Sequence, residues 1–434
     1  MTRDRKRRLA AAAEPIPPER FRELIRAIYR NTFAPEDLRR YGEIEDWDVS
    51  EIEDMSHAFC NLGSFHADLS RWDVSRVTNM EFMFFYASSF NAPIGDWDVS
   101  QVTNMANMFH GAETFNQPLE GWDVSKVTTM QWMFCNAEAF NQPLGGWDVS
   151  RVTDMEDMFH EAVAFNQPLE RWDVSRVTNM KAMFRRARKF NQPLGEWDVS
   201  HVTDMRNMFR VAETFNQPLG GWNTGHVTDM EGMFHDAKSF DQPLGQWDTR
   251  RVTNMQHMFR GARTFDQDIG TWDVSRVTNM KYMFSSAQCF NRPVGNWDVS
   301  RVTNMMHMFY NAQCFNQPVG NWDVSRVTDM EAMFCCTREF NQELERWDVS
   351  RVTRTVWMFR DADSFRQPLA DWTVSQIVNH GSMFAGSTPR QPLGFGHWRF
   401  PPARFPPTLR NDRYASYHPH ERPPRLLRIH MRGL

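Results

Sequence analysis

The sequence predicts a solenoid: an α/β repeat protein with one short strand and one short helix in each 25-residue repeat. A tryptophan recurs every 25 residues from Trp47 to Trp372, fourteen times without a change of register. The residues between are nearly the same each time, as in WDVSRVTNMKAMFRRARKFNQPLGE at 172–196. A strict period of this length indicates supersecondary units that stack on one another.

The predicted strand lies around the tryptophan, which is numbered position 1 of each repeat. Leucine at position 23, tryptophan at position 1 and valine at position 3 give the pattern L-x-x-W-x-V, as at Leu144, Trp147 and Val149. Period-two alternation at positions 1 and 3 favours a short half-buried strand.

The predicted helix follows, because apolar residues at positions 9, 12, 13 and 16 share one helical face. Threonine at position 7 and glutamate at position 10 would form a capping box at its start; the glutamates are Glu81, Glu156, Glu231 and Glu331. The Phe-Asn-Gln-Pro segment at positions 19–22 would end the helix, because proline disfavours helical geometry in the residue before it.

No single unit can bury its own apolar stripe, so neighbouring repeats must cover it. Positions 1, 3, 6, 9, 12, 13, 19 and 23 are nearly constant and are predicted to form the core. Positions 5, 10, 11, 14, 15, 17, 18 and 25 vary and are predicted to face outward.

The predicted domain organisation has four parts. Residues 1–17 form a flexible basic N-terminus, and residues 18–46 form a helical N-terminal cap with a helix over roughly 18–31. Residues 47–385 form the solenoid of about fourteen repeats, and residues 386–434 form a Pro/Arg-rich tail.

Charge and hydropathy exclude several classes of protein. Residues 47–385 carry 29 Lys/Arg and 43 Asp/Glu, a net charge of −14, so nucleic acid is not an expected partner. The short basic run Arg3–Arg8 is weak evidence for nuclear import or RNA contact. No segment approaches the roughly 18 apolar residues of a membrane span. No signal peptide or anchor is recognised, and the six cysteines are scattered. An intracellular or virion-associated location is therefore expected over an exported one.

The repeat unit WDVSxVTNMxxMFxxAxxFNQPLGx closely resembles the repeats of BspA-type leucine-rich-repeat surface proteins, the lipoprotein-associated repeat family. The resemblance covers residues 47–385, and the segment Tyr41–Trp47 resembles the N-terminal cap of that family. It implies a leucine-rich-repeat-like (LRR-like) solenoid that serves in protein interaction or adhesion without catalytic activity.

The candidate binding residues are the aspartates of position 2 with the cations of position 5, together with aromatic residues of position 11. Stacked position-2 carboxylates would repel by roughly 1 kcal/mol per adjacent pair in water. The position-5 cations, or a local bond from each aspartate to the position-4 amide, would offset that repulsion. A calcium-lined face is the alternative reading of these carboxylates. The candidates are Asp73, Arg76, Asp98, Asp123, Lys126, Asp148, Arg151, Asp173, Arg176, Trp132, Tyr282 and Trp357.

Other polar rows have structural explanations that we favour over functional ones. His110, Cys135 and His160 share position 14 in successive repeats, but their spacing matches no established zinc motif. Cys289 and Cys314 share position 18 and are predicted to be free thiols in a reducing compartment. The threonines of position 7 are explained by capping rather than ice binding. The Asn-Gln pairs at positions 20 and 21 are predicted to hydrogen-bond between loops.

No catalytic constellation or cofactor motif is present in the sequence, so neither an enzyme nor a cofactor is predicted. The expected function is recognition of a protein or glycan along the strand face of the solenoid, through positions 2, 5 and 25, with the position-11 aromatics as a second contact set on the helical side. The alternative is a structural or assembly component, such as a virion or coat protein without a specific ligand.

Overall fold

The computed structural model describes residues 14–30 and 32–387. Within that part of the chain the helices are α1 (Pro18–Tyr29), α2 (Pro35–Tyr41) and a short 3-10 helix at Ile44–Asp46. All three precede the first repeat, so the predicted helix over roughly 18–31 corresponds to α1.

Three sequence predictions concern residues outside that described part. The flexible N-terminus predicted at 1–17 is described only from residue 14, and Arg3–Arg8 is not included. The tail predicted at 386–434 is described only as far as residue 387. These three remain predictions.

Helix α1 packs on the start of the solenoid. Pro18 occupies its first turn, where the missing amide hydrogen is not needed. Its buried face consists of Phe21, Leu24 and Ile25. Phe21 meets Trp72 of the second repeat edge-to-face, with 5.9 Å between ring centroids. The helix therefore covers apolar surface that the first coils would otherwise expose.

Each 25-residue repeat forms one coil of the predicted solenoid. Thirteen parallel bridges join the position-8 residues of neighbouring coils, from Asp54 and Asn79 at one end to Arg354 and Asn379 at the other. The register is therefore constant along the whole array.

The core consists of the predicted rows of apolar side chains, with the alanine of position 16 added to them. Trp147 and Trp172 lie parallel, with 6.5 Å between centroids and 1° between planes. The indole Nε1 of Trp147 donates a hydrogen bond to the carbonyl oxygen of Leu119 at 2.9 Å. The tryptophan row thus stabilises the array through burial and through one polar bond per coil.

The strand predicted at positions 1 and 3 is wrong for the described repeats. Turn bonds flank that segment: the Trp122 amide donates to Leu119 O at 3.1 Å, and the Val127 amide donates to Val124 O at 2.9 Å. Backbone pairing between coils begins at position 7 instead. Alternation of apolar residues marks an extended segment but does not determine where its hydrogen bonds go.

The helix predicted at positions 9–16 is also wrong. The amide of Trp132 donates to Glu156 O of the next coil at 2.8 Å, and that of Phe134 donates to Met158 O at 2.9 Å. Trp132 and Asn136, at positions 11 and 15, have φ of 60° and 54°. A left-handed residue in every four is incompatible with an α-helix. The segment is a series of tight turns whose backbone forms a parallel ladder with its neighbours.

The ladder explains why the apolar pattern resembled a helix. Side chains of positions 9, 12, 13 and 16 point into the core, and the pairs 10–11 and 14–15 lie on the surface. This in-out-out-in order places apolar residues at i, i+3, i+4 and i+7, which is also the pattern of an amphipathic helix. The two structures cannot be distinguished by periodicity alone.

The predicted capping box is absent because no helix begins at position 7. The hydroxyl of Thr103 donates to the carbonyl oxygen of Thr78 in the preceding coil at 3.2 Å. The turn at position 8 is held by its own side chain, as where Asp154 Oδ1 accepts a bond from the Glu156 amide at 2.9 Å. The threonine row therefore joins neighbouring coils.

Candidate recognition surfaces

Two surfaces of the solenoid present side chains to solvent. The threonine face comprises positions 2, 5, 7 and 25, which are exposed in nearly every described repeat. The ladder face comprises positions 10, 11, 14, 15, 17 and 18. Positions 10, 11, 14 and 15 are half-buried or buried rather than fully outward as predicted, because side chains of adjacent coils pack against one another along each row.

The position-2 aspartates form the predicted local bond to position 4. Asp148 Oδ1 accepts a hydrogen bond from the Ser150 amide at 3.0 Å, and Asp123 is bonded to Ser125 in the same way. The hydrogen bonds from Ser150 lower the pKa of Asp148. Each carboxylate is thus stabilised within its own turn. Within residues 14–30 and 32–387, no group of three or more His, Cys, Asp or Glu side chains could hold a metal ion.

The position-5 cations that have bonded partners contact groups other than the position-2 aspartates. Arg76 makes ion pairs with Glu51 at 2.8 Å and Glu53 at 2.9 Å, at positions 5 and 7 of the preceding coil. Lys126 donates to Gln101 Oε1 at 2.7 Å. No ion pair joins position 2 to position 5 in the described repeats, so the predicted offset by these cations is not made through direct contact.

An open groove lies on the threonine face near its C-terminal end. Its volume is about 510 Å³, and position-5 and position-7 side chains line it, including Arg326, Thr328 and Arg351. The remaining position-2 and position-5 candidates are separate exposed side chains along the same face: Asp73, Asp98, Arg151, Asp173 and Arg176.

The position-11 aromatics lie on the ladder face, away from the position-2 and position-5 rows. All three candidates, Trp132, Tyr282 and Trp357, are half-buried. Tyr282 lies in a row of stacked rings, 4.9 Å from His257 and 4.6 Å from His307 between centroids. Part of each ring is thus occupied in packing, and the outer part remains accessible.

The position-14 row brings His110, Cys135 and His160 into one buried strip. Burial lowers the pKa of His110 to about 4 and raises the pKa of the Cys135 thiol. His160 Nδ1 lies 2.8 Å from Asp157 Oδ1, a carboxylate that is itself 3% exposed. Sequence reasoning missed Asp157, because it occupies a variable position.

The Asn-Gln pairs form the predicted loop-to-loop bonds. Asn116 Oδ1 accepts from the Asn141 amide at 2.9 Å and from Gln142 Nε2 at 3.0 Å. The pattern recurs along most of the array, which explains why both residues are nearly constant. Cys289 and Cys314 are both free and exposed.

Sequence reasoning also passed over a basic group on the ladder face. Arg185, Arg210 and Arg260 share position 14 with His235 in four successive coils. The signal was available in the sequence, but it becomes visible only when residues 25 apart are compared side by side.

The comparisons with known proteins concern the whole array. The profile of the family described as "Mycoplasma protein of unknown function, DUF285" matches residues 29–146, 118–220, 193–296 and 288–394. No curated protein matches the chain. Neither α1 nor α2, the α-helices of the described residues, is long and apolar enough to cross a membrane.

Three solved structures share distant similarity. A leucine-rich cell surface protein from Faecalibacterium prausnitzii A2-165 is 12% identical, with 63% of this chain and 84% of that chain covered and a TM-score of 0.35. The TLR13–ssRNA13 complex is 8% identical, covering 73% and 50%, with a TM-score of 0.19. The Toll–Spatzle complex from Drosophila is 8% identical, covering 67% and 51%, with a TM-score of 0.20. At these TM-scores the similarities carry no argument about binding. The family matches, by contrast, span most of the chain in four overlapping segments, and the chain therefore belongs to the DUF285 family.

Proposed function

We propose that this protein is a non-catalytic scaffold that recognises a protein partner, or a glycan, through the ladder face. The observation that carries the proposal is the way in which the coils are joined. Between positions 9 and 15 the bonds between coils run from backbone to backbone, as from the Phe134 amide to Met158 O. Such bonds do not depend on the side chain, so the ladder does not restrict which residue types its surface positions carry.

The composition of the ladder face supports recognition. It presents aromatic, cationic, anionic and small residues in an order that changes from coil to coil. Trp132, Tyr282 and Trp357 are half-buried rings on a rigid backbone, and such rings provide contact area at a low cost in conformational entropy. The position-2 and position-5 candidates on the threonine face form a second proposed contact set.

The resemblance to BspA-type surface proteins supports the finer proposal that the recognition serves adhesion. It rests on the repeat unit, which agrees at the positions that hold the coils together. Those positions determine the fold, so we expect the ligand to contact residues at the positions that differ between repeats.

The test is capture of partners by the full chain and by two matched variants. Trp132→Ala/Tyr282→Ala/Trp357→Ala alters the ladder face, and Asp73→Ala/Asp98→Ala/Asp123→Ala alters the threonine face. The proposal predicts one abundant partner that binds the wild type and the second variant, with binding to the first reduced by about tenfold or more. Equal capture by both variants would contradict the assignment to the ladder face.

The rival function is assembly into a larger structure. One observation favours it: the exposed side chains of positions 2, 5 and 7 repeat nearly unchanged along the array, which suits a regular contact between copies. Sedimentation velocity of the full chain distinguishes the two. Concentration-dependent growth that ceases in Arg151→Glu/Arg176→Glu would support assembly, and a single species of constant size would support recognition.

A further inference from the structure

Positive charge is concentrated in one part of the ladder face. At positions 14, 15, 17 and 18, the four repeats 172–271 carry eight Lys/Arg and two Asp/Glu. The same positions carry no Lys/Arg and three Asp/Glu in repeats 72–171, and two and three in repeats 272–371. We call this group the basic block: Arg185, Arg186, Arg188, Lys189, Arg210, Lys238, Arg260 and Arg263.

A row of position-14 side chains runs through the basic block. Arg185, Arg210, His235 and Arg260 each follow a core phenylalanine, and these phenylalanines are stacked with 5.7 Å between successive ring centroids. Three such steps place the phenylalanines that precede the first and last arginines of the row about 17 Å apart along the stack. The spacing is held by the core below rather than by the arginines themselves.

Two arginines of this row, Arg185 and Arg210, lack hydrogen-bond partners that buried guanidinium groups ordinarily have, whereas Arg260 lies over the ring of Tyr282 at 5.0 Å. The Nε–H groups of Arg185 and Arg210 are buried and donate no hydrogen bond. Among the described residues, Arg210 makes one side-chain hydrogen bond, and it is long: 3.4 Å from Nη1 to Asn207 Oδ1. Burial, followed by repulsion from Arg185 and Arg186, lowers the pKa of Arg210.

The carboxylates near the row do not neutralise it. Glu161 is already paired with Arg186. Asp236 attracts both Arg260 and Arg210, but burial raises the pKa of its own carboxyl despite these cations. With Arg186 paired to Glu161, the three arginines of position 14 face the single carboxylate of Asp236. An arrangement of this kind costs stability in the free protein, and an anion bound to the row would offset that cost.

We propose that the basic block is the docking site for an extended acidic segment of a protein partner. This rests on the proposed recognition function and names the chemistry of the partner. In an extended chain, alternate side chains on one face are about 6.7 Å apart, close to the step of the arginine row. Guanidinium groups bind carboxylates through two parallel hydrogen bonds, which gives such a row selectivity for Glu and Asp side chains.

The surroundings favour a peptide over a nucleic acid. Single strands bind where bases stack on accessible aromatic rings. At positions 14, 15, 17 and 18 of repeats 172–271 the one ring is that of His235, which is 6% exposed. The solenoid on both sides of the block is also acidic, and it would repel a long polyanion that extends beyond the four coils.

The experiment measures binding of fluorescein-labelled hexaglutamate to the full chain by fluorescence anisotropy at low ionic strength. Arg185→Gln/Arg210→Gln/Arg260→Gln removes the row. Arg251→Gln/Arg276→Gln/Arg301→Gln removes the same charge from exposed position-5 sites. We expect the first variant to bind at least about tenfold more weakly, because each lost charged hydrogen bond is worth about as much as one such factor, and the control to stay within about twofold.

A lysine variant tests whether binding requires the paired hydrogen bonds of arginine or only its positive charge. Arg185→Lys/Arg210→Lys/Arg260→Lys keeps the charge but loses the paired hydrogen bonds, and it should bind with intermediate affinity. Circular dichroism should show the glutamine row variant folded, since removing like charges from the row relieves repulsion, and it should show the same for the lysine variant and the control.

Three results would overturn the inference: no hexaglutamate binding to the wild type, equal loss in the row variant and the control, or tighter binding of oligothymidylate than of hexaglutamate. These outcomes leave the proposed function standing if the position-11 variant still loses its partner. If no variant loses binding to either the partner or hexaglutamate, both the proposed function and the proposed acidic docking site are refuted.

Discussion

The two halves of each coil are joined to their neighbours in different ways. From position 19 through position 8 of the next repeat, side chains make many of the bonds between coils, as with Trp147 Nε1 on Leu119 O and Asn116 Oδ1 on the Asn141 amide. From position 9 to position 15, the backbone makes them. The positions that make these side-chain bonds, such as 1 and 20, are nearly constant, whereas the surface positions of the second half, 10, 11, 14 and 15, vary. Residue types are therefore nearly constant where a side chain makes the bond between coils. They vary where backbone hydrogen bonds join the coils.

The largest expected effect compares one residue type in both halves. Trp122 is 3% exposed at position 1, whereas Trp132 is half-buried at position 11. Trp122→Ala should lower the free energy of unfolding by about 3–5 kcal/mol, because it leaves a cavity and an unpaired carbonyl. Trp132→Ala should cost less than about half as much. Urea unfolding followed by circular dichroism measures both, and equal losses would show that the two halves do not differ.

The second expected effect is a loss of stability at low pH, caused by histidines buried in the variable half. Burial lowers the pKa of His257 and His307, at position 11, to about 4 from 6.5. As the pH falls from about 6.5 towards 4, the unfolded chain binds protons that these folded histidines do not, so stability is lost across that window. The pKa of position-2 aspartates such as Asp148 is lowered from 3.8, so the stability that they contribute is lost only as the pH falls below about 3.8.

The measurement is the unfolding midpoint between pH 7 and pH 4. His257→Gln/His307→Gln should flatten this pH dependence, because the two groups no longer titrate. The control, His201→Gln/His226→Gln, changes exposed position-5 histidines and should leave the profile as in the wild type. If both variants give the same profile, burial of the ladder-face histidines is not the cause.

A third and smaller effect tests the asparagine row. The side-chain Oδ1 of Asn141 accepts bonds from the Asn166 amide at 2.9 Å and from Gln167 Nε2 at 3.2 Å. Asn141→Ala should cost about 1–3 kcal/mol, because it leaves half-buried donors unpaired. Asn141→Asp keeps the acceptor, as Asp241 does naturally for Asp266, and should be nearly neutral at pH 7. A large loss in the aspartate variant would mean that the amide group itself is required.

The smallest effect is a gain in stability. Val211 at position 15 has φ of 59°, a conformation that β-branched residues rarely adopt. Gly111 and Gly261 occupy the same position in other coils. Val211→Gly should raise the free energy of unfolding by about 1 kcal/mol, because it removes left-handed strain. Val163→Gly, at a position without positive φ, should lower it by about 0.5–1 kcal/mol. If both variants have a lower free energy of unfolding than the wild type, the positive φ of Val211 is not a source of strain.

Part of this structure could be predicted from the sequence, and the physical reason is clear. The core rows and the position-2 and position-20 bonds depend on particular side chains, so they leave a constant residue at a constant place. Asp148 and Asn116 are examples. An α-helix and the ladder, by contrast, bury the same apolar positions, so the apolar pattern does not distinguish them. The positive φ of Trp132 cannot be recognised from its residue type either. The arginine row escaped notice for a related reason: its members are 25 residues apart and lie in variable positions.

The central claim is that backbone bonds hold the variable half together whatever its side chains. Native-state hydrogen exchange tests it most directly, at position 11 of three coils. The amides of Trp132, Ala182 and Gly232 donate to the next coil at 2.8, 2.8 and 2.9 Å. If backbone bonds hold this segment together, all three amides should be strongly and similarly protected from hydrogen exchange. Slow exchange at Trp132 with rapid exchange at Ala182 and Gly232 would show that side chains hold the ladder, and would contradict it.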